Sequence, residues 1–154
     1  MDYYFFDSNA IVKNYIVETA TNWVKSIFNS AATSVIYAVS IAEVEVISAF
    51  ARRLRGKTLT INEAMIASTQ FRYDFANDLR VVAVEPILLN RAVMLAEKYA
   101  LRGYDAVQLS AAIEAFAYIN ALKQSSFIFV SADNNLTSAA QNEGLTVENP
   151  NNYP

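Results

Sequence analysis

The stretch YYFFDSNAIV, residues 3–12, decides the fold. Four aromatic residues in an unbroken apolar run read as a short buried strand. Asp7 and Ser8 directly behind them are favoured helix caps. A helical stretch then runs from Asn9 to about Phe28, interrupted near VETATN, where Thr19 or Thr21 is placed to cap a second segment. A strand that passes straight into a helix is the start of a β–α unit, and the rest of the chain repeats it. TSVIYAV, residues 33–39, is a second strand; Ser40 is placed to cap the helix IAEVEVISAFARRLR, and Gly56 suits its left-handed C-terminal position. Thr60 and Glu63 have capping-box spacing, so another helix begins near Ile61.

The run VVAVE, residues 81–85, reads as a short buried strand, and Pro86 fits the first turn of PILLNRAVMLAEKYA. Gly103 separates that helix from YDAVQLSAAIEAFAYINAL, which is apolar enough to be covered on more than one side. After the polar KQSS come the strand FIFVSAD, the short helix NNLTSAAQNE ended by Gly144, and the strand LTVE; only the final NPNNYP is expected to be loosely attached. Continuous apolar strands alternating with helices predict an α/β fold in three layers, with a mostly parallel central sheet of about five strands covered on both faces. At 154 residues the chain is expected to be a single domain, residues 1–154.

Composition excludes much chemistry. The chain has no histidine and no cysteine, which removes histidine-based acid–base work, Ser–His or Cys–His nucleophiles, disulfides and histidine- or thiolate-held zinc. Any reaction rests on carboxylates, amides, hydroxyls, Lys, Arg or Tyr. The N-terminal MDYYFFDSN carries acid where a signal peptide needs positive charge, and apolar runs are broken well before the roughly 18 residues of a membrane span. The expected compartment is the cytoplasm, with no membrane partner. A net charge of −3 argues against a globally basic nucleic-acid binder but allows a local basic surface.

In open α/β sheets ligands bind outside the carboxyl ends of the strands. Asp7 follows YYFF and Asp133 follows FIFVSA, so both leave the sheet at that edge if their strands are parallel. Glu43 and Glu45 lie in the first turns after SVIYAV, and Asp105 lies in the first turn after Gly103. Each acid singly is explained by capping or by the helix macrodipole. Carboxylates crowded together repel, and must take up protons, pair with cations or bind metal. With oxygen ligands only, Mg²⁺ or Mn²⁺ is the expected ion.

YFFDSNAIVKNY, SIAEVEVISAFARR, LRGYDAVQLSAA and FVSADNNL, in that order, resemble the acidic motifs of PIN-domain ribonucleases, most closely the virulence-associated protein C (VapC) toxins of toxin–antitoxin pairs. The resemblance spans essentially the whole chain. It implies a PIN-like fold and a divalent-metal-dependent endoribonuclease, inhibited by a cognate antitoxin protein and often a homodimer. It places the catalytic, metal-binding acids at Asp7, Glu45, Asp105 and Asp133. EVISAFARR fits the second motif when it starts at Glu45; Glu43 is the alternative, and two residues lie about 200° apart on a helix, so both cannot face one metal. Ser8 falls at the family's small hydroxyl position and Ser131 at the hydroxyl two residues before the fourth acid, and Asn9, beside them, is a candidate supporting residue.

RNA contacts are expected from Arg52, Arg53, Arg55 and Lys57 in ARRLRGK, with Arg72 and Arg102 elsewhere, although cations at a helix C-terminus also complement its dipole. The aromatics, Trp23 and Phe50 among them, are expected in the core or at a dimer surface, and FRYDF, residues 71–75, is the candidate exposed apolar strip for a partner. Two other readings compete. A haloacid dehalogenase-type phosphatase also begins with a strand and Asp, but has Asp two residues on, where this chain has Asn9. A PIN-like interaction module without activity would keep the fold alone.

Overall fold

The aromatic run at the N-terminus forms β1 (Asp2–Phe6), the middle strand of a five-stranded, all-parallel sheet. The computed structural model describes residues 1–124 and 126–154, so Ser125 of the KQSS linker lies outside the described residues. The remaining elements follow in the alternating order expected: α1 (Ser8–Tyr15), α2 (Thr21–Phe28), β2 (Ser34–Val39), α3 (Ala42–Arg55), α4 (Ile61–Asn77), β3 (Arg80–Val82), α5 (Pro86–Tyr99), α6 (Gly103–Ala121), β4 (Phe127–Val130), α7 (Asn134–Asn142) and β5 (Thr146–Glu148). The sheet order is β3-β2-β1-β4-β5. The chain therefore winds outward from β1 on one side and returns to its other side, which makes the β1/β4 boundary a topological switch point.

Register places Phe5 opposite Phe129 and Phe6 opposite Val130. Successive side chains point to opposite faces of a strand, so Phe5 stacks on Phe129 at 5.9 Å while Phe6 meets the edge of Phe28 at 5.2 Å. Phe5, Phe6 and Phe129 are fully buried. One layer is α6 lying across β2, β1 and β4 with α5 packed on it; the other gathers α1 to α4, with α2 against β2. Among the described residues, no helix is long and apolar enough to cross a membrane.

The capping box is present: Thr60 Oγ1 accepts from Glu63 N–H at 3.1 Å, and Glu63 accepts from Thr60 N–H at 2.8 Å. Thr60→Ala removes half of it and is expected to cost about 1 kcal/mol, seen as a lower urea midpoint with an unchanged m-value.

Several local expectations give way. Ser40 does not cap α3: its N–H bonds Val82 O (2.9 Å), which prolongs the β2–β3 ladder by one residue, and the helix starts one residue later with Ile41 in the cap position and no side-chain bond. Gly56 is right-handed at φ −77°, and the left-handed residue is Lys57, which closes the helix with Thr58 N–H on Arg53 O at 3.0 Å. Neither Thr19 nor Thr21 caps α2; Thr21 is its first residue, and its hydroxyl ties Ile16 O to Glu18 N–H. Of VVAVE only Val81 and Val82 pair, and β3 is an edge strand with Val81 41% exposed. FRYDF is no exposed apolar strip, since Phe71 is fully buried and Phe75 packs on the core, leaving Tyr73 outside. The tail is held: Pro150 is buried and Tyr153 stacks on Trp23 at 4.5 Å with the ring planes 2° apart.

Candidate active site

At the carboxyl edge of β1 and β4 the chain opens into a cleft of about 780 Å³. Asp7, Glu45, Asp105 and Asp133 all line it, together with Ser8, Asn9, Arg52, Arg53 and Arg102. The fold thus brings together acids from β1, α3, α6 and the end of β4. Glu43 is not in that lining, and neither are Arg55 and Lys57, which are exposed beyond it, nor Arg72.

Each acid is held differently. Asp7 is 2% exposed; Oδ1 accepts from Ser8 N–H (2.7 Å) and Oδ2 from Ser131 Oγ–H (2.8 Å). Ser131 also accepts from Asp133 N–H at 3.1 Å, so one buried hydroxyl ties the first and last acids together. Asn9 secures the same corner by accepting from Ala132 N–H at 2.9 Å. Asp133 caps α7, its Oδ1 accepting from Asn135 and Leu136 N–H at 2.8 and 3.0 Å. The plain capping role is therefore real for Asp133, and uses one of its two oxygens.

Glu45 reaches across from α3, where its Oε1 accepts from Ser8 Oγ–H at 3.1 Å and from Gln108 Nε2–H at 2.8 Å. Gln108 is a residue that sequence reasoning missed. Its signal was an amide one turn after Asp105 in an otherwise apolar stretch of helix. Lys13 and Glu18 were missed too. Lys13 is buried, donates to Thr19 O at 3.1 Å and pairs with Glu18 at 3.1 Å; Arg53 pairs with Glu18 as well. Glu18 thus fixes two of the cations on the cleft wall. Arg52 and Arg102 have no acidic partner within 4.0 Å among the described residues.

Asp7, Glu45 and Asp105 hold their protons more tightly than free carboxyl groups do. Burial pushes Asp7 up to about 7, with Glu45 and Asp105 adding to the rise and the Ser131 hydrogen bond opposing it. Burial also raises Glu45, against the hydrogen bonds from Gln108 and Ser8. Asp105 is raised by burial and then by Asp133, while Arg102 pulls it down. Among the described residues none of these four acids has a Lys or Arg within 4.0 Å.

An uncompensated all-oxygen donor set suits a hard divalent cation. The fit is one of donor chemistry and not of assembled geometry: among the described residues no three acids stand close enough to form a ready metal cage.

No family model matches the chain, and no curated protein matches it. Solved structures do. FitAB bound to the IR36 DNA fragment is similar at a TM-score of 0.66 and 13% identity, over 96% of this chain and 94% of that one. VapBC2 from Rickettsia felis, bound to a DNA fragment from their promoter, is similar at 0.59 and 15%, over 96% and 98%. FitAcB from Neisseria gonorrhoeae is similar at 0.57 and 15%, over 96% and 97%. At these identities the likeness is one of fold, and the fold is three-layer α/β/α of the PIN-like kind.

Proposed function

We propose that this chain is a divalent-metal-dependent endoribonuclease that hydrolyses RNA phosphodiester bonds and acts as the toxin of a toxin–antitoxin pair. The observation that carries the reading is the placement of Asp7, Glu45, Asp105 and Asp133 around one cleft at the sheet's switch point, with no cation paired to them among the described residues. The ordered motif resemblance to VapC toxins and the likeness to VapBC2 and FitAB support it.

Asp7 and Asp105 are the first-choice ligands for Mg²⁺ or Mn²⁺, with Glu45 and Asp133 completing the set. Such an ion lowers the pKa of bound water, polarises a phosphoryl oxygen and offsets carboxylate and phosphate charge. Ser131 and Ser8 hold Asp7 by both its oxygens, so the carboxylate is fixed before substrate arrives. Arg52 and Arg102, free of acidic partners among the described residues, are placed to take flanking phosphates. Arg53 serves the same wall with its charge shared by Glu18. Arg55 and Lys57, outside the cleft, would reach only longer RNA.

The protein partner is proposed to be a cognate antitoxin, and the chain a homodimer in the cytoplasm. Outside the cleft, α4 leaves Ile61, Met65, Ile66 and Tyr73 exposed, an apolar surface of the kind that partners cover.

The test is cleavage of varied RNAs by the purified chain. Cutting is expected with Mg²⁺ or Mn²⁺ and is expected to vanish in EDTA. One observation favours the second reading, a PIN-like interaction module: the acids are not gathered into a cage. Intact RNA together with no detectable Mn²⁺ binding would overturn the nuclease reading and favour that module.

A further inference from the structure

We infer that Gln108 is a positioning residue that presents Glu45 to the metal site, an inference that rests on the metal-dependent reading above. Gln108 is fully buried in α6, three residues beyond Asp105. Its Nε2 donates to Ser8 Oγ at 2.7 Å and to Glu45 Oε1 at 2.8 Å, while Ser8 Oγ–H donates to the same Glu45 oxygen at 3.1 Å. The three groups form a closed ring spanning α1, α3 and α6. Both amide hydrogens are used, and an ionised carboxylate can only accept, so this amide orientation is the one that serves both neighbours.

The other end of the side chain shows what the ring is for. Gln108 Oε1 has no hydrogen-bond partner, alone among the buried side-chain N and O atoms of the described residues. A buried acceptor without a partner costs stability, and an apolar side chain of similar length would fill the place without that cost. What the amide supplies in return is directional. Two donors fasten Oε1 of Glu45, which leaves Oε2 as the oxygen available to the cleft that Glu45 lines. The helix that carries Asp105 therefore also sets the carboxylate reaching over from α3.

The test is Mn²⁺ titration of the full chain by calorimetry, beside thermal melting without metal. Gln108→Met keeps the length and removes the donors; Gln108→Asn keeps the amide and withdraws it by one methylene. Both are expected to weaken Mn²⁺ binding about tenfold, as loss of a partner that orients a metal ligand does. Gln108→Met gives up two hydrogen bonds and relieves the unpartnered Oε1, so its melting point is expected to stay within a few degrees of the wild type while Mn²⁺ affinity falls; a merely structural glutamine would lower the melting point and leave the affinity unchanged. In a Glu45→Gln background the effect of Gln108→Met on Mn²⁺ affinity is expected to shrink to within about twofold, because its target is gone.

Wild-type affinity in Gln108→Met overturns the inference, and so does an undiminished effect in the Glu45→Gln background. If Gln108→Met does not fold, Gln108→Asn decides by the same criterion. A wild type that binds no Mn²⁺ overturns the metal-dependent reading itself and this inference with it; a wild type that binds, beside a variant that binds equally, overturns the inference alone.

Discussion

Asp7→Asn is expected to produce a protein that is more stable than the wild type at pH 8 and has lost RNA cleavage. The stability half follows from burial. Asp7 titrates near 7 in the folded chain against about 3.9 unfolded. Between those values the folded state holds a proton that the unfolded state has released, so stability falls as pH rises from about 4 through 7. Above that window the ionised Asp7 costs on the order of 4 kcal/mol, an upper figure for a carboxylate whose surroundings relax. Asparagine retains an acceptor for Ser8 N–H and presents an amide to Ser131, but carries no charge to desolvate.

Without metal, melting of Asp7→Asn should therefore exceed the wild type at pH 8 by up to about 16 °C, at roughly 2–4 °C per kcal/mol for a chain of this size. The gap should close towards pH 4. Equal melting at pH 8 would show that Asp7 is not held at the raised value. The activity half rests on the proposed function: loss of a ligand carboxylate removes several kcal/mol of transition-state stabilisation, so cleavage should drop about 10³-fold. Added Mn²⁺ should raise the melting point of the wild type and leave that of Asp7→Asn nearly unmoved.

That a group can weaken the fold and still be built into it explains which parts of the site were legible in the sequence. Asp7 was, because four aromatics declare a buried strand and the acid comes directly after it. Asp133 was legible for the same reason behind β4. Their adjacency needed only the expectation of parallel pairing, and the register of β1 on β4 supplies it. Gln108 was not legible, since its partners Ser8 and Glu45 lie 100 and 63 residues away and an amide on an apolar helix has many uses. The tail failed likewise: a Pro- and Asn-rich end looks loose until Tyr153 finds Trp23. Phe71 in FRYDF shows the converse error, where local pattern suggested a surface and packing against Tyr15 and Phe50 made it core. Local propensity located the elements; distant contacts decided which of their side chains mattered.

The choice between Glu45 and Glu43 turns on such contacts, and it carries the second large prediction. Both acids sit in the first turn of α3, where either complements the helix dipole. Only Glu45 lines the cleft and meets Ser8 and Gln108. In Glu45→Gln the amide oxygen can keep accepting from Ser8 and Gln108, which turns the NH₂ group toward the cleft. That group is a donor where a carboxylate oxygen had stood, unable to ligate a cation and badly placed for an approaching one. Glu45→Gln should therefore fold normally and cut RNA about 10²-fold more slowly, with kcat falling more than KM rises, since the lost interaction belongs to the metal site and not to phosphate contacts along the rim. Glu43→Gln should change cleavage by less than about twofold, because a charge outside the cleft is screened by solvent. The pair of variants, measured side by side under saturating Mg²⁺, separates the two acids cleanly: equal losses, or a larger loss from Glu43→Gln, would mean that α3 presents its other side to the substrate and that the ring around Glu45 serves only to hold the helices together.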